Sequence, residues 1–181
     1  YTQLPSLGLN QTISFAAEAH EGQLDADEFV LRGWGMPEPE GCWTVGERAV
    51  FGFQMDEADR GDWMLCISAH GYTPDRNPVE VEFAVNGVSL LTWFVDGKCA
   101  EYKVIIPHSV ARHDDLYCCT LKIHNPRSPA NCEASPDTRM LGIHVRQVML
   151  RSSVIEEPSS ARFQIYKAFK GLMRRFRGAG N

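Results

Sequence analysis

The segment Val79–Val95, VEVEFAVNGVSLLTWFV, alternates apolar and polar side chains with a period of two. Val79, Val81, Phe83 and Val85 point one way while Glu80, Glu82 and Ala84 point the other, which is the pattern of a half-buried strand and not of a helix. Asn86-Gly87 follows, where a two-residue hairpin turn requires positive φ at both positions. Val88 to Val95 then returns as the second strand.

Strand-like stretches recur outward in both directions. Thr12–Phe15, Glu28–Arg32, Glu47–Met55 and Trp63–His70 read as strands before the hairpin. Tyr102–Ile106, Leu116–His124 and Thr138–Arg151 read as strands after it. Stretches rich in Gly, Pro, Asn and Asp separate them, among them Gly71–Pro78 and Asn125–Asp137. About nine short strands with no helix among them predict an all-β antiparallel β-sandwich, jelly-roll-like, over residues 12–151. Residues 1–11 are polar and turn-like and are expected to be a loosely held, flexible segment.

Residues 152–181 differ in kind, reading as a linker and a basic amphipathic helix. Pro158-Ser159-Ser160 is a helix start, and Phe163, Tyr166, Phe169, Leu172, Met173 and Phe176 recur at spacings of three and four. Six of the 18 basic residues and none of the 23 acidic ones lie from Pro158 onward, so the first 157 residues carry a balance of −11. Phe163, Tyr166, Phe169, Lys170, Arg174 and Arg175 are the candidate contacts to a membrane surface or a partner's groove. Docking of this helix on the chain's own acidic body is the competing expectation. Such a body lacks the basic face that nucleic-acid phosphates require, so no nucleic-acid partner is expected.

Six cysteines show neither a CxxC pair nor Cys/His zinc spacing. Cys66, Cys118 and Cys119 fall inside strand patterns, where cysteine acts as a small hydrophobe. Reduced thiols and a cytoplasmic location are expected, with the tail placing the chain at the periphery of the inner membrane. No metal or cofactor is expected.

Gly33–Val50, GWGMPEPEGCWTVGERAV, sets Trp34 and Trp43 among four glycines and two Pro-Glu steps, a turn-rich segment that no helix accommodates. Its indoles are either wedged into the core or displayed as a binding surface. Three motifs then fall together. Gly33-Trp34, Pro37-Glu38 and Gly41-x-Trp43-Thr44-x-Gly46 make the first, with Ala49 opening the next strand. Val85-Asn86-Gly87 with Trp93 is the second. Ser128-Pro129 with Ser135-Pro136-Asp137-x-Arg139-x-Leu141-Gly142-Ile143 is the third. Together they resemble a non-catalytic β-sandwich module found attached to bacterial glycosyltransferases and to related envelope or exopolysaccharide assembly proteins. The resemblance covers residues 12–151. It implies a jelly-roll accessory domain, carbohydrate-binding-like in shape, with a glycan or the glycosyltransferase machinery as partner. Where the pattern tends to carry another aromatic before Gly41, this chain has Glu40.

A sugar presents apolar C–H faces and hydroxyl edges, so its site needs a flat aromatic beside a few rigid polar groups. The carbohydrate-binding candidates are therefore Trp34 and Trp43 as platforms, with Glu38, Glu40, Arg48, Asp137 and Arg139 as polar partners. A core role for each tryptophan, and a loop-pinning ion pair for Asp137 and Arg139, are the alternatives. Glu38 and Asp137 are the two carboxylates a hydrolase would need. With no HExxH, no His-x-His pair and no nucleophile elbow, no catalytic residue is assigned.

Overall fold

The computed structural model describes residues 4–55, 62–111 and 115–153. Two sheets pack face to face. The first has the order β3 (Val30–Arg32), β5 (Arg48–Gln54), β10 (Leu116–Ile123), β7 (Val79–Val85) and β8 (Val88–Val95). The second runs β2 (Leu24–Asp25), β1 (Thr12–Ser14), β11 (Leu141–Ser152), β6 (Trp63–Gly71) and β9 (Ala100–Ile106). A further strand, β4 (Cys42–Val45), pairs with the start of β11 on the side where β1 pairs farther along. The named strands pair antiparallel except for β1 with β2, and the Ser6–Gln54 bridge is also parallel. The expected all-β sandwich is the fold observed, and α1 (Pro129–Cys132) is its short α-helix.

The alternation seen in the sequence is the burial seen in space. Val79, Val81, Phe83 and Val85 are fully buried, while Glu80, Glu82 and Ala84 face outward. Opposite them, Leu65, Ile67, Val148 and Leu150 close the core from the second sheet. Phe53 and Tyr117, stacked at 5.4 Å on adjacent strands, fill its centre. Each such large side chain contributes roughly 1.5–3 kcal/mol by leaving water. All six cysteines are free thiols.

The β7–β8 turn has φ of 51° at Asn86 and 87° at Gly87, as the Asn-Gly pair predicts. Asn86 does more than turn. Its Nδ2 donates to the carbonyls of Val110 and Leu116 at 2.8 Å each, and its Oδ1 accepts from the Cys118 amide at 2.9 Å. The hairpin is thereby pegged to the strand beside it.

Four segments depart from the sequence expectation. Cys42–Val45 was expected as loop and is β4, because its amides and carbonyls find partners on β11 and on Trp34–Gly35. Leu24–Asp25 adds β2, and residues 26–28, the last of them expected to open a strand, form a 3₁₀ turn capped by the Asp25 side chain. Residues 6–10, expected to be loosely held, are packed. Leu7 is buried and its amide donates to the Gln54 carbonyl, while the Asn10 amide donates to Leu150.

The two long free edges are guarded unequally. β9 presents the Glu101–Lys103 ion pair at 3.0 Å. β8 carries no charge over eight residues, and Phe94 stands 63% exposed on it. No helix among the described residues is long and apolar enough to cross a membrane.

Candidate functional site

The segment Trp34–Thr44 is a hairpin, closed by the Trp34–Thr44 and Glu38–Gly41 bridges, and it extends the second sheet beyond β11. Alternation sends its residues to two destinations. Cys42 and Thr44 point inward and are buried, and the Thr44 hydroxyl oxygen accepts the Ile143 amide at 2.9 Å. Trp43 points outward. Gly41 lets the hairpin lie flat on β11, since a Cβ there would collide with the Val145 carbonyl oxygen and come within 2.8 Å of the His144 ring.

Register gathers three rings into a triangular cluster on the outer side of the second sheet. Trp43 on β4 pairs with His144 on β11, which pairs with His70 on β6. Ring centroids lie 4.9 Å apart for Trp43–His144, 4.9 Å for His144–His70 and 5.4 Å for Trp43–His70. Tyr72 meets the Trp43 ring edge-on at 6.1 Å.

Charged groups frame this cluster. At the register shift between Val145 and Gln147, Arg146 is the extra residue, and its Nη2 donates to Glu40 Oε2 at 2.9 Å. Bulges commonly re-aim a side chain in this way. From the loop before β11, Arg139 grips Asp137 through Nε and Nη2, the shorter bond being 2.7 Å. That fork holds the Asp137 carboxyl below its ordinary range. Arg139 also lies against Gly35, where a Cβ would come within 3.3 Å of Nη1. Glu38 Oε2 reaches to 3.7 Å from His144 Nε2, too long for a hydrogen bond. Burial, with His70 and Arg146 nearby, pushes the His144 pKa down to about 4, and His70 is lowered mainly by burial. Both imidazoles are therefore neutral at pH 7.

Polar atoms on this face are short of protein partners. The His144 Nδ1 is buried without a hydrogen bond, and the Tyr72 hydroxyl is turned toward Glu133. The Trp43 indole N–H makes no hydrogen bond among the described residues.

The fold thus brings Glu38, Glu40, Trp43, Asp137 and Arg139 to one surface. Trp34 is elsewhere: it was expected to present its indole outward, but the ring packs on Phe15 at 4.7 Å and on Phe51, and Nε1 donates to the Val50 carbonyl at 2.9 Å. A small cavity of about 20 Å³ beside it is lined in part by Phe15, Pro37 and Cys42. Arg48 opens β5 on the other sheet, at a polar recess of about 300 Å³ shared with Glu47, Lys122 and His124. Trp93 faces the core, against Phe83 and Tyr102. Phe163, Tyr166, Phe169, Lys170, Arg174 and Arg175 lie outside the described residues. His70, Tyr72, His144 and Arg146 were not singled out in the sequence. Their outward phase in two alternating strands was readable, but their meeting depends on strand register.

No protein-family model matches this chain, and no curated protein matches it in sequence. Solved structures do share its general shape. The CBM36-1 domain of a multidomain xylanase from the hindgut metagenome of Trinervitermes trinervoides aligns over 79% of this chain and 97% of its own, with 12% identity and a TM-score of 0.45. A family 35 carbohydrate binding module from an environmental isolate aligns over 82% and 89%, with 12% identity and a TM-score of 0.41. The C-terminal CBM6 of LamC, a laminarinase from Zobellia galactanivorans, aligns over 70% and 95%, with 8% identity and a TM-score of 0.43. These carbohydrate-binding modules are similar to the chain at the level of the sandwich.

Proposed function

We propose that the outer face around Trp43 is a glycan-binding surface, and that the chain is a non-catalytic accessory module of a bacterial polysaccharide-building protein. One observation carries the binding reading. An indole whose N–H makes no hydrogen bond among the described residues is bordered by Glu38, the Glu40–Arg146 pair and the Asp137–Arg139 pair, delivered from segments far apart in sequence. A flat apolar ring beside rigid hydrogen-bonding groups matches the two kinds of surface a sugar offers. Recognition without bond-making fits the carboxylates as well. Asp137 is held ionised by Arg139, which suits an acceptor of hydroxyl hydrogen bonds and not a proton donor.

The attachment to glycosyltransferase machinery rests on the sequence motifs, and the basic tail is proposed as the contact to a membrane surface or partner subunit. The binding reading is tested by glycan arrays followed by titration with any polymer retained. Trp43→Ala is expected to weaken binding roughly tenfold, in line with the stacking contribution of one aromatic ring. Unchanged affinity in a variant that melts like the parent would remove Trp43 from the site.

A further inference from the structure

The charge balance around Trp43 goes one step further and names the kind of sugar, an inference that rests on the glycan reading just given. Four carboxylates border the face: Glu38, Glu40, Glu133 and Asp137. Two guanidinium groups answer them, and both are spoken for. Arg146 is bound to Glu40 at 2.9 Å and Arg139 to Asp137 at 2.7 Å. Glu38 stays 43% exposed, in ion-pair contact with neither guanidinium; His144 Nε2 stands 3.7 Å from it, and Arg139 feels its charge from farther off. His144 and His70 are neutral at pH 7 and add no compensating charge. The surface therefore presents two surplus negative charges, one of them on Glu38 beside the ring cluster.

An acidic cluster alone would be a solvated patch. Here it surrounds a buried imidazole, 5% exposed, whose Nδ1 is unpartnered, and the half-buried Trp43 indole, whose N–H makes no hydrogen bond among the described residues. We infer that the preferred ligand is an amino sugar bearing a free, protonated amine, with the ammonium on Glu38 and the ring's C–H face on Trp43. An ammonium gains a charge-assisted hydrogen bond from Glu38 and an attraction to the indole face. An N-acetylated ring offers neither. A uronic acid or a phosphorylated sugar brings a like charge to a carboxylate that no guanidinium contacts directly.

The test uses the whole chain and soluble oligomers of matched length: glucosamine, N-acetylglucosamine, glucose and galacturonate. Titration at pH 6 is expected to rank the glucosamine oligomer at least tenfold above its acetylated counterpart, with the galacturonate oligomer last. Glu38→Gln should erase that preference and leave the acetylated and neutral oligomers unchanged. Trp43→Ala should weaken the glucosamine oligomer, which separates a site from adsorption of a polycation onto an acidic protein. Equal affinity for amine and acetylated oligomers overturns the amino-sugar inference while leaving glycan binding intact. So does an amine preference that survives Glu38→Gln or ignores Trp43→Ala. Binding of none of the four overturns both.

Discussion

His144 gives the sandwich a specific sensitivity to acid. It is 5% exposed, with Trp43 and His70 against its ring, Arg146 beside it, and Glu38 and Glu40 at its outer side. Its folded-state pKa of about 4 lies below the ordinary 6.5. The unfolded chain therefore takes up a proton at a pH where the folded chain refuses it. The contribution to stability is complete above pH 6.5 and is lost as pH falls toward 4. With these two values the loss through this one group is about 2 kcal/mol between pH 7 and 5, and about 3 kcal/mol by pH 4. For a domain of this size, 2 kcal/mol lowers Tm by roughly 4–8 °C. Thermal and urea unfolding at pH 7, 6 and 5 should be run on the wild type and on His144→Gln, which keeps a polar side chain but cannot titrate. His70→Gln serves as a companion, because that imidazole is also depressed, to a lesser degree. The wild type should lose more stability than His144→Gln across this interval, by about the figures given. Parallel pH dependences in the two proteins would show that burial of this imidazole does not set its protonation, and the reasoning would fail.

Two further expectations concern the β7–β8 hairpin. Asn86→Gly preserves the positive φ of the turn but removes three hydrogen bonds, and should cost roughly 2–4 kcal/mol in chemical unfolding; a neutral effect would reduce Asn86 to a turn residue. The uncharged β8 edge should pair with the same edge of another copy at high concentration, since unguarded edges template strand addition. Light scattering should then rise with concentration in the wild type and less so in Thr92→Lys, and identical curves would reject that pairing.

What could be read from the sequence is what depends on neighbours along the chain. The β7–β8 hairpin was legible because its alternation and its Asn-Gly turn are both local. β4 was hidden because Pro37, Pro39 and four glycines signal a loop, whereas its strand character comes from β11, far along the chain. The same distinction divides the site. Trp43, Glu38 and Glu40 share one hairpin and were found together, and Asp137 with Arg139 came from a motif of spacing two. His70 and His144 become neighbours only through the register of β6 on β11. Trp34 was misplaced because its indole N–H finds a carbonyl on β5, a partner no local pattern reveals.

In the hairpin from Trp34 to Thr44, adjacent letters answer to different masters. Cys42 and Thr44 hold the two sheets together from inside, while Trp43 between them and Glu38 and Glu40 before them face solvent. Mutational drift can rewrite the outward set without disturbing the inward one, so descendants of such a scaffold are free to change what they grip long before they change their shape.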